Sequence, residues 1–190
     1  MTTAEHKFKD GSVLKLEKVS RMRFPQGVKI LVTDPCYWFN NKKEGILEKL
    51  PEDVWSVFCD LMFPDDYGKL PSSMALHSYG QATFTTAEGR KIVFLYTSTA
   101  NGDGSYRVTS NHRLKEVSGD GYIGVDAGMY AVVLLDDAKA INPKGFNGDD
   151  FGCGVVFETL QEITVDVDGE DMDGDIHCVT GHNSDDDDDW

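Results

Sequence analysis

Two runs rich in β-branched and aromatic residues, 81–86 and 91–97, flank Glu88-Gly89-Arg90. A glycine between two such runs admits a tight chain reversal, so this stretch predicts an antiparallel hairpin. The same composition recurs at 13–19, 28–33, 105–109, 121–125, 130–135, 155–158 and 162–168. Strand pairing therefore dominates the expected fold. The run 28–33 must turn at Asp34-Pro35, because proline has no N–H to offer a sheet ladder.

One strong helix is expected among these strands. It begins at Pro51, where a missing N–H is harmless, and carries Glu52 and Asp53 in its first turn, where carboxylates favour the helix dipole. Val54, Trp55, Phe58, Leu61 and Met62 share one face, and the helix stops before Pro64. Trp55 and Phe58 are expected core residues. The expected class is α+β and β-rich: a twisted antiparallel sheet with one long amphipathic helix packed on it. Residues 1–183 are expected to form a single α+β domain and 184–190 a disordered acidic tail.

The chain has 190 residues, 40% hydrophobic and 11% aromatic, enough for one substantial core. Its N-terminus lacks an apolar signal stretch, and no apolar run approaches the roughly 20 residues of a membrane span. A soluble, cytoplasmic protein is expected. Cys36, Cys59, Cys153 and Cys178 lack the close pairing of a zinc site or dithiol centre, so mostly buried thiols and no metal are expected of them.

Charge is segregated along the chain. Residues 1–144 carry 18 Lys+Arg against 18 Asp+Glu, whereas residues 145–190 carry none against 15. A net charge of −15 confined to the last quarter makes a directional field, an address for a basic partner. Residues 7–29 are mildly basic and offer the run 185–189 an internal, salt-sensitive partner.

Three short motifs suggest chemistry. Asp34-Pro35-Cys36-Tyr37 follows a strand and combines an acid, a thiol and a phenol; nucleophilic use of Cys36 requires a base, and His77 and His112 are the candidates. The alternative is an Asp34 side-chain turn with Cys36 and Tyr37 packed inward. Asn101-Gly102-Asp103-Gly104-Ser105-Tyr106 has the composition of a tight turn, and Val125-Asp126-Ala127-Gly128 offers a second carboxylate. Asp103 and Asp126 suit acid–base work only if they converge. Residues 119–124 match a dinucleotide fingerprint by letter, but no helix pattern follows, so the match is set aside.

Together, Asp34-Pro35-Cys36-Tyr37, Gly102-Asp103-Gly104-Ser105-Tyr106 and Val125-Asp126-Ala127-Gly128 resemble the pattern of a set of small phage and bacterial proteins that share these motifs. The resemblance spans roughly residues 28–135. It implies a bacteriophage product made in a bacterial cytoplasm, and it marks Asp34, Cys36, Tyr37, Asp103, Tyr106 and Asp126.

At the acidic end, Asp166, Asp168, Glu170, Asp171, Asp173 and Asp175 precede the run Asp185, Asp186, Asp187, Asp188, Asp189 and the aromatic Trp190. A calcium loop needs glycine at its sixth position and glutamate at its twelfth. Counting from Asp171 those positions hold Ile176 and His182, and from Asp166 they hold Asp171 and His177, which leaves only an irregular oxygen cage. On a strand, Asp166 and Asp168 share one face while Val165 and Val167 share the other, a row of charge that suits mimicry of nucleic acid. The run ending in Trp190 resembles the acidic, aromatic-ended tails of phage single-stranded DNA-binding proteins, in which the aromatic enters an apolar pocket and acids meet a basic rim. A neutral body lacks the basic groove that direct strand binding needs, so no nucleic-acid binding by the body and no membrane partner are expected.

The expected function is binding of a basic host or phage protein through Asp166, Asp168, the run 185–189 and Trp190, to inhibit, occupy or recruit it. One alternative is a hydrolase-like enzyme with Asp34, Cys36, Asp103 and Asp126 around one pocket. Another is a divalent-metal protein using residues 166–175. No cofactor is implied.

Overall fold

The computed structural model describes residues 2–40, 45–50, 52–65, 67–69 and 75–181. Its centre is an eight-stranded sheet. In spatial order the strands are β1 (Thr3–Lys7), β2 (Val13–Glu17), β5 (Tyr79–Thr85), β6 (Lys91–Ser98), β11 (Met129–Leu134), β4 (Lys29–Thr33), β12 (Val155–Thr159) and β9 (Leu114–Ser118). Every neighbouring pair is antiparallel. The β5–β6 hairpin pairs Thr85 with Lys91, and Gly89 takes φ +88° in its turn, a conformation that a side chain disfavours.

The four strands β6, β11, β4 and β12 are apolar at successive positions, so they bury both faces. Leu31, Ala131, Val133, Phe94, Tyr96 and Val156 point to one side. Ile30, Val32, Tyr130, Val132, Leu95 and Phe157 point to the other. The period-2 alternation of a strand thus feeds two cores from one sheet.

The first core is closed by the segment after β4 and by two short helices, α1 (Val54–Met62) and α2 (Leu135–Ile141). Phe94 is its hub. Trp38 meets it edge-on at 5.1 Å between ring centroids, and Phe39 does so at 4.9 Å. Phe58 of α1 lies 5.3 Å from Tyr96 and 5.8 Å from Phe39. The second core is closed by small sheets: β14 (Met172–Gly174), β13 (Ile163–Val167) and β3 (Arg21–Phe24) form one, and β10 (Tyr122–Val125) with β7 (Gly104–Arg107) another. A last pair joins β15 (Ile176–His177) to β8 (Thr109–Ser110). Beyond β6 this cover ends, and Lys15, Glu17, Gln81, Thr83 and Thr85 line an open sheet face.

The structure corrects the expected architecture. The α+β arrangement around one long amphipathic helix is replaced by a β-rich fold whose α-helices, among the described residues, are two short ones of nine and seven residues. Asp53 explains the start of α1 at Val54: its carboxylate accepts the Trp55 N–H at 3.0 Å as the N-cap, so the helix begins after the acids, while the expected start at Pro51 lies outside the described residues. Phe63 ends it ahead of Pro64, leaving about two and a half turns. Phe58 is buried, while Trp55 only packs partly against the core. The cysteine expectation also changes: all four are free, but only Cys178 is buried, Cys36 and Cys59 are half-buried and Cys153 is exposed. No helix among the described residues is long and apolar enough to cross a membrane.

Because Phe58 packs against four aromatic rings, those of Phe39, Trp55, Phe94 and Tyr96, Phe58→Ala leaves a cavity that β-strand neighbours cannot collapse into. It is expected to lower unfolding free energy by about 3–5 kcal/mol in urea titrations, with an unchanged denaturant slope.

Candidate functional site

The three sequence motifs converge. Pro35–Tyr37 forms a single 3-10 turn directly after β4, capped by Asp34, whose Oδ1 accepts the Cys36 N–H at 2.8 Å. The other oxygen, Oδ2, accepts the N–H groups of Asp126 at 2.8 Å and Ala127 at 2.7 Å. Asp34 is fully buried, so one carboxylate ties the end of β4 to the connection between β10 and β11. Burial pushes its carboxyl above the ordinary range, opposed by these three N–H donors.

Asp103 reaches the same connection from the other side, where its Oδ1 accepts the Gly128 N–H at 2.9 Å. Gly128 takes φ +64°, and its carbonyl accepts the Thr99 N–H at 3.0 Å. The buried Tyr106 donates its hydroxyl to Gly102 O at 2.8 Å, which holds the Asp103 loop in shape. Asp126 is itself exposed, and it accepts the Tyr37 hydroxyl. Asp34, Cys36, Tyr37, Asp103, Tyr106 and Asp126 therefore belong to one assembly.

Cys153 joins this assembly without having been singled out in the sequence. Its carbonyl accepts the Thr33 hydroxyl at 2.9 Å and the Gly124 N–H at 3.1 Å. The signal was the glycine on either side. A Cβ on Gly154 would lie 2.9 Å from Leu31, Thr33 and the Val32 carbonyl, so only glycine lets this loop press against β4.

The electrostatics run against a thiolate. Burial raises the Cys36 pKa, and the charge of Asp34, a hydrogen bond to it, and the charges of Asp126 and Asp103 raise it further. A nucleophilic cysteine needs the reverse, a base or positive charge that favours the anion. Among the described residues, the histidines considered as bases lie elsewhere: His77 stacks on Phe63 at 5.2 Å, and the exposed His112 acts on Asp175. Tyr37 is likewise pushed up, first by burial and then by its bond to Asp126. The two acids proposed for acid–base work thus meet at one connection from different loops, with one oxygen of Asp103 engaged by the Gly128 N–H and Asp126 engaged by a phenol.

The acidic segment has its own internal structure. Val165 and Val167 are buried and Asp166 and Asp168 point away from the core, as the strand alternation requires. Asp166 pairs with Arg21 at 2.6 Å, and Asp168 accepts the N–H groups of Glu170 at 2.9 Å and Asp171 at 2.8 Å. Asp171 accepts the Thr180 N–H, and Asp175 accepts the Thr164 N–H and the Asn111 amide. Asp149 is shared by Lys29 and Lys139. From the basic stretch 7–29, Lys29 meets Asp149 and Arg21 meets Asp166, whereas the run 185–189 expected as its internal partner lies outside the described residues. Among the described residues no three His, Cys, Asp or Glu side chains are grouped to hold a metal ion. Asp185, Asp186, Asp187, Asp188, Asp189 and Trp190 lie outside the described residues.

No protein-family model, curated protein or solved structure matches this chain.

Two predictions follow from these contacts. Asparagine offers one acceptor oxygen where Asp34 uses two, so Asp34→Asn strands at least one buried N–H and should cost about 1–3 kcal/mol in urea melts. Asp103→Asn keeps the single acceptor that Gly128 needs and should cost under about 0.5 kcal/mol by the same measurement. Separately, the lysines hold Asp149 down to about 2 from its ordinary 3.8. The folded form therefore binds its proton more weakly than the unfolded chain, so the contribution is present above pH 3.8 and lost as the pH falls to about 2. The melting-temperature difference between the wild type and Asp149→Asn should close over that window, and should shrink in high salt at neutral pH.

Proposed function

We propose that this chain works by binding a basic protein through its acidic C-terminal quarter, with the β-rich body as the scaffold that presents it. The setting is a phage-type protein in a bacterial cytoplasm, and the bound partner is inhibited, occupied or recruited. One observation carries the reading: 15 acids and no Lys or Arg follow Lys144. The internal pairing of Asp149, Asp166, Asp168, Asp171 and Asp175 sharpens it. Acids already held by lysine, arginine or backbone N–H groups have little left for a partner, so the binding weight falls on exposed Glu170, on Asp173 beside His177 at 3.1 Å, and on the run 185–189 with Trp190. In this reading Asp166 and Asp168 shape the presenting surface more than they touch the partner. Five consecutive carboxylates at 185–189 suit a groove built for phosphates, and nucleic-acid mimicry is the form of inhibition proposed.

The convergence of Asp34, Cys36, Asp103 and Asp126 favours a second reading, a hydrolase-like site at the connection between β10 and β11. The raised Cys36 pKa counts against its thiolate, which would leave Asp126 and Tyr37 to move a proton.

Affinity capture from a bacterial lysate separates the two. The full chain, a chain ending at Asn183 and a Cys36→Ser/Asp126→Asn double variant serve as baits across a salt gradient. A basic protein should be retained by the full chain and the double variant, released at moderate salt, and lost on truncation. Equal capture by all three baits, or none by any, contradicts the proposal.

A further inference from the structure

Strand β1 forms one edge of the eight-stranded sheet, and among the described residues no strand pairs with its outer side. Its inner side is settled by the ladder to β2. The Phe8 N–H donates to Ser12 O at 2.9 Å and the Lys18 N–H to Thr2 O at 3.0 Å, and the register between these bonds runs unbroken from Thr3↔Glu17 to Lys7↔Val13. Main-chain bonds alternate in direction along an antiparallel strand, so Ala4 and His6 turn theirs toward β2, in phase with Thr2 and Phe8. The N–H and C=O groups of Thr3, Glu5 and Lys7 therefore point outward, and the side chains of the same three residues are exposed. Proline and bulges, which block pairing at natural sheet edges, are absent from Thr3–Lys7.

We infer that β1 is a docking edge for a second copy of this chain, whose own β1 adds antiparallel to it and carries one sheet through both molecules. This surface is independent of the acidic quarter. Two charges select both the partner and the register. Because the outward groups belong to odd-numbered residues, hydrogen-bonded pairs can join only Thr3, Glu5 and Lys7 to one another. Pairing Glu5 with the partner's Glu5 opposes like charges, and pairing Lys7 with the partner's Lys7 does the same. Pairing Thr3 with the partner's Glu5 leaves Lys7 unmatched. Pairing Glu5 with the partner's Lys7 sets opposite charges across the join twice, with His6 on the two-fold axis. Within its own sheet Glu5 faces Lys15, whereas Lys7 faces Val13, so the second copy offers Lys7 the carboxylate that its own ladder does not. The edge is electrically balanced, in a part of the chain, 1–144, where 18 Lys+Arg meet 18 Asp+Glu. The apolar groove that Ala4 shares with Leu61, Met62 and Leu76 borders the same edge. In this register the partner's Phe8 stands opposite Ala4, which brings the following turn beside that groove. A two-fold join of identical strands closes at two copies.

Sedimentation velocity of the full chain between about 10 μM and about 1 mM tests this. The unmodified chain should pass from monomer to dimer as it is concentrated. Glu5→Lys and Lys7→Glu each place like charges at both contacts, and each should raise the dissociation constant about tenfold or more. Mixing the two single variants restores opposite charges, since one copy then offers two lysines and the other two glutamates. The mixture should therefore dimerise as the unmodified chain does, and so should the double variant Glu5→Lys/Lys7→Glu. Both positions are exposed, and melting curves confirm that the variants fold. A monomer at every concentration overturns the inference and leaves the edge to a different strand-forming partner or to none. A dimer unmoved by the single variants overturns it too, because the copies then meet elsewhere. Single variants that weaken the dimer but do not recover on mixing contradict the Glu5–Lys7 register and overturn it as well.

Discussion

Asp34 places a carboxylate where no solvent reaches it, and three backbone N–H groups accept the task of compensating it. A buried charge left without donors costs several kcal/mol, so the geometry of those donors is not negotiable. Cys36 must enter a tight turn as soon as β4 ends, and Asp126 and Ala127 must present their amides at the start of the β10–β11 connection. Asp103 then closes the far side of that connection through Gly128. The central strands β4 and β11 are direct neighbours in the sheet, and this node fixes how their ends meet the first core above them and the second core below.

The same economy governs the surface charge. In the folded part of the acidic quarter, carboxylates close turns and strand ends: Asp168 organises the β13–β14 reversal, Asp175 ties β13 to Asn111, and Asp149 draws β4 toward α2 through two lysines. Exposed ion pairs contribute little to stability individually, yet each removes an acid from the pool available to a partner. A polyanionic segment read as uniform in sequence therefore divides into acids that build the fold and acids that face outward.

Much of the sheet was legible. Strands β2, β4, β5, β6, β10, β11, β12 and β13 lie where β-branched runs and their turn residues place them, and Gly89 turns the hairpin as expected. Strands β1, β3, β9, β14 and β15 were not foreseen. Thr3–Lys7 and Leu114–Ser118 are polar edge strands, and Arg21–Phe24 alternates arginine with Met22 and Phe24, so their strand character comes from pairing rather than composition. Helix α2 escaped notice because Leu135–Ile141 continues directly from an apolar strand, with no side-chain cap to mark its start. The long helix fails for the opposite reason: acids ahead of an apolar face read as first-turn residues, whereas Asp53 is the cap itself. The site motifs were visible as letters, but only the fold could bring them together, and Cys153 arrives from a segment far along the chain.

Asp34 and Asp103 give their oxygens to backbone amides, and under the proposed function interaction is left to the acidic end. Native-state hydrogen exchange of the Cys36, Asp126, Ala127 and Gly128 amides tests this most directly. If Asp34 and Asp103 lock the node, these four amides exchange only with global unfolding, at the free energy of the β11 core. If they exchange freely while β11 stays protected, the acids are not held by backbone, and the node is an open site whose carboxylates are available for chemistry.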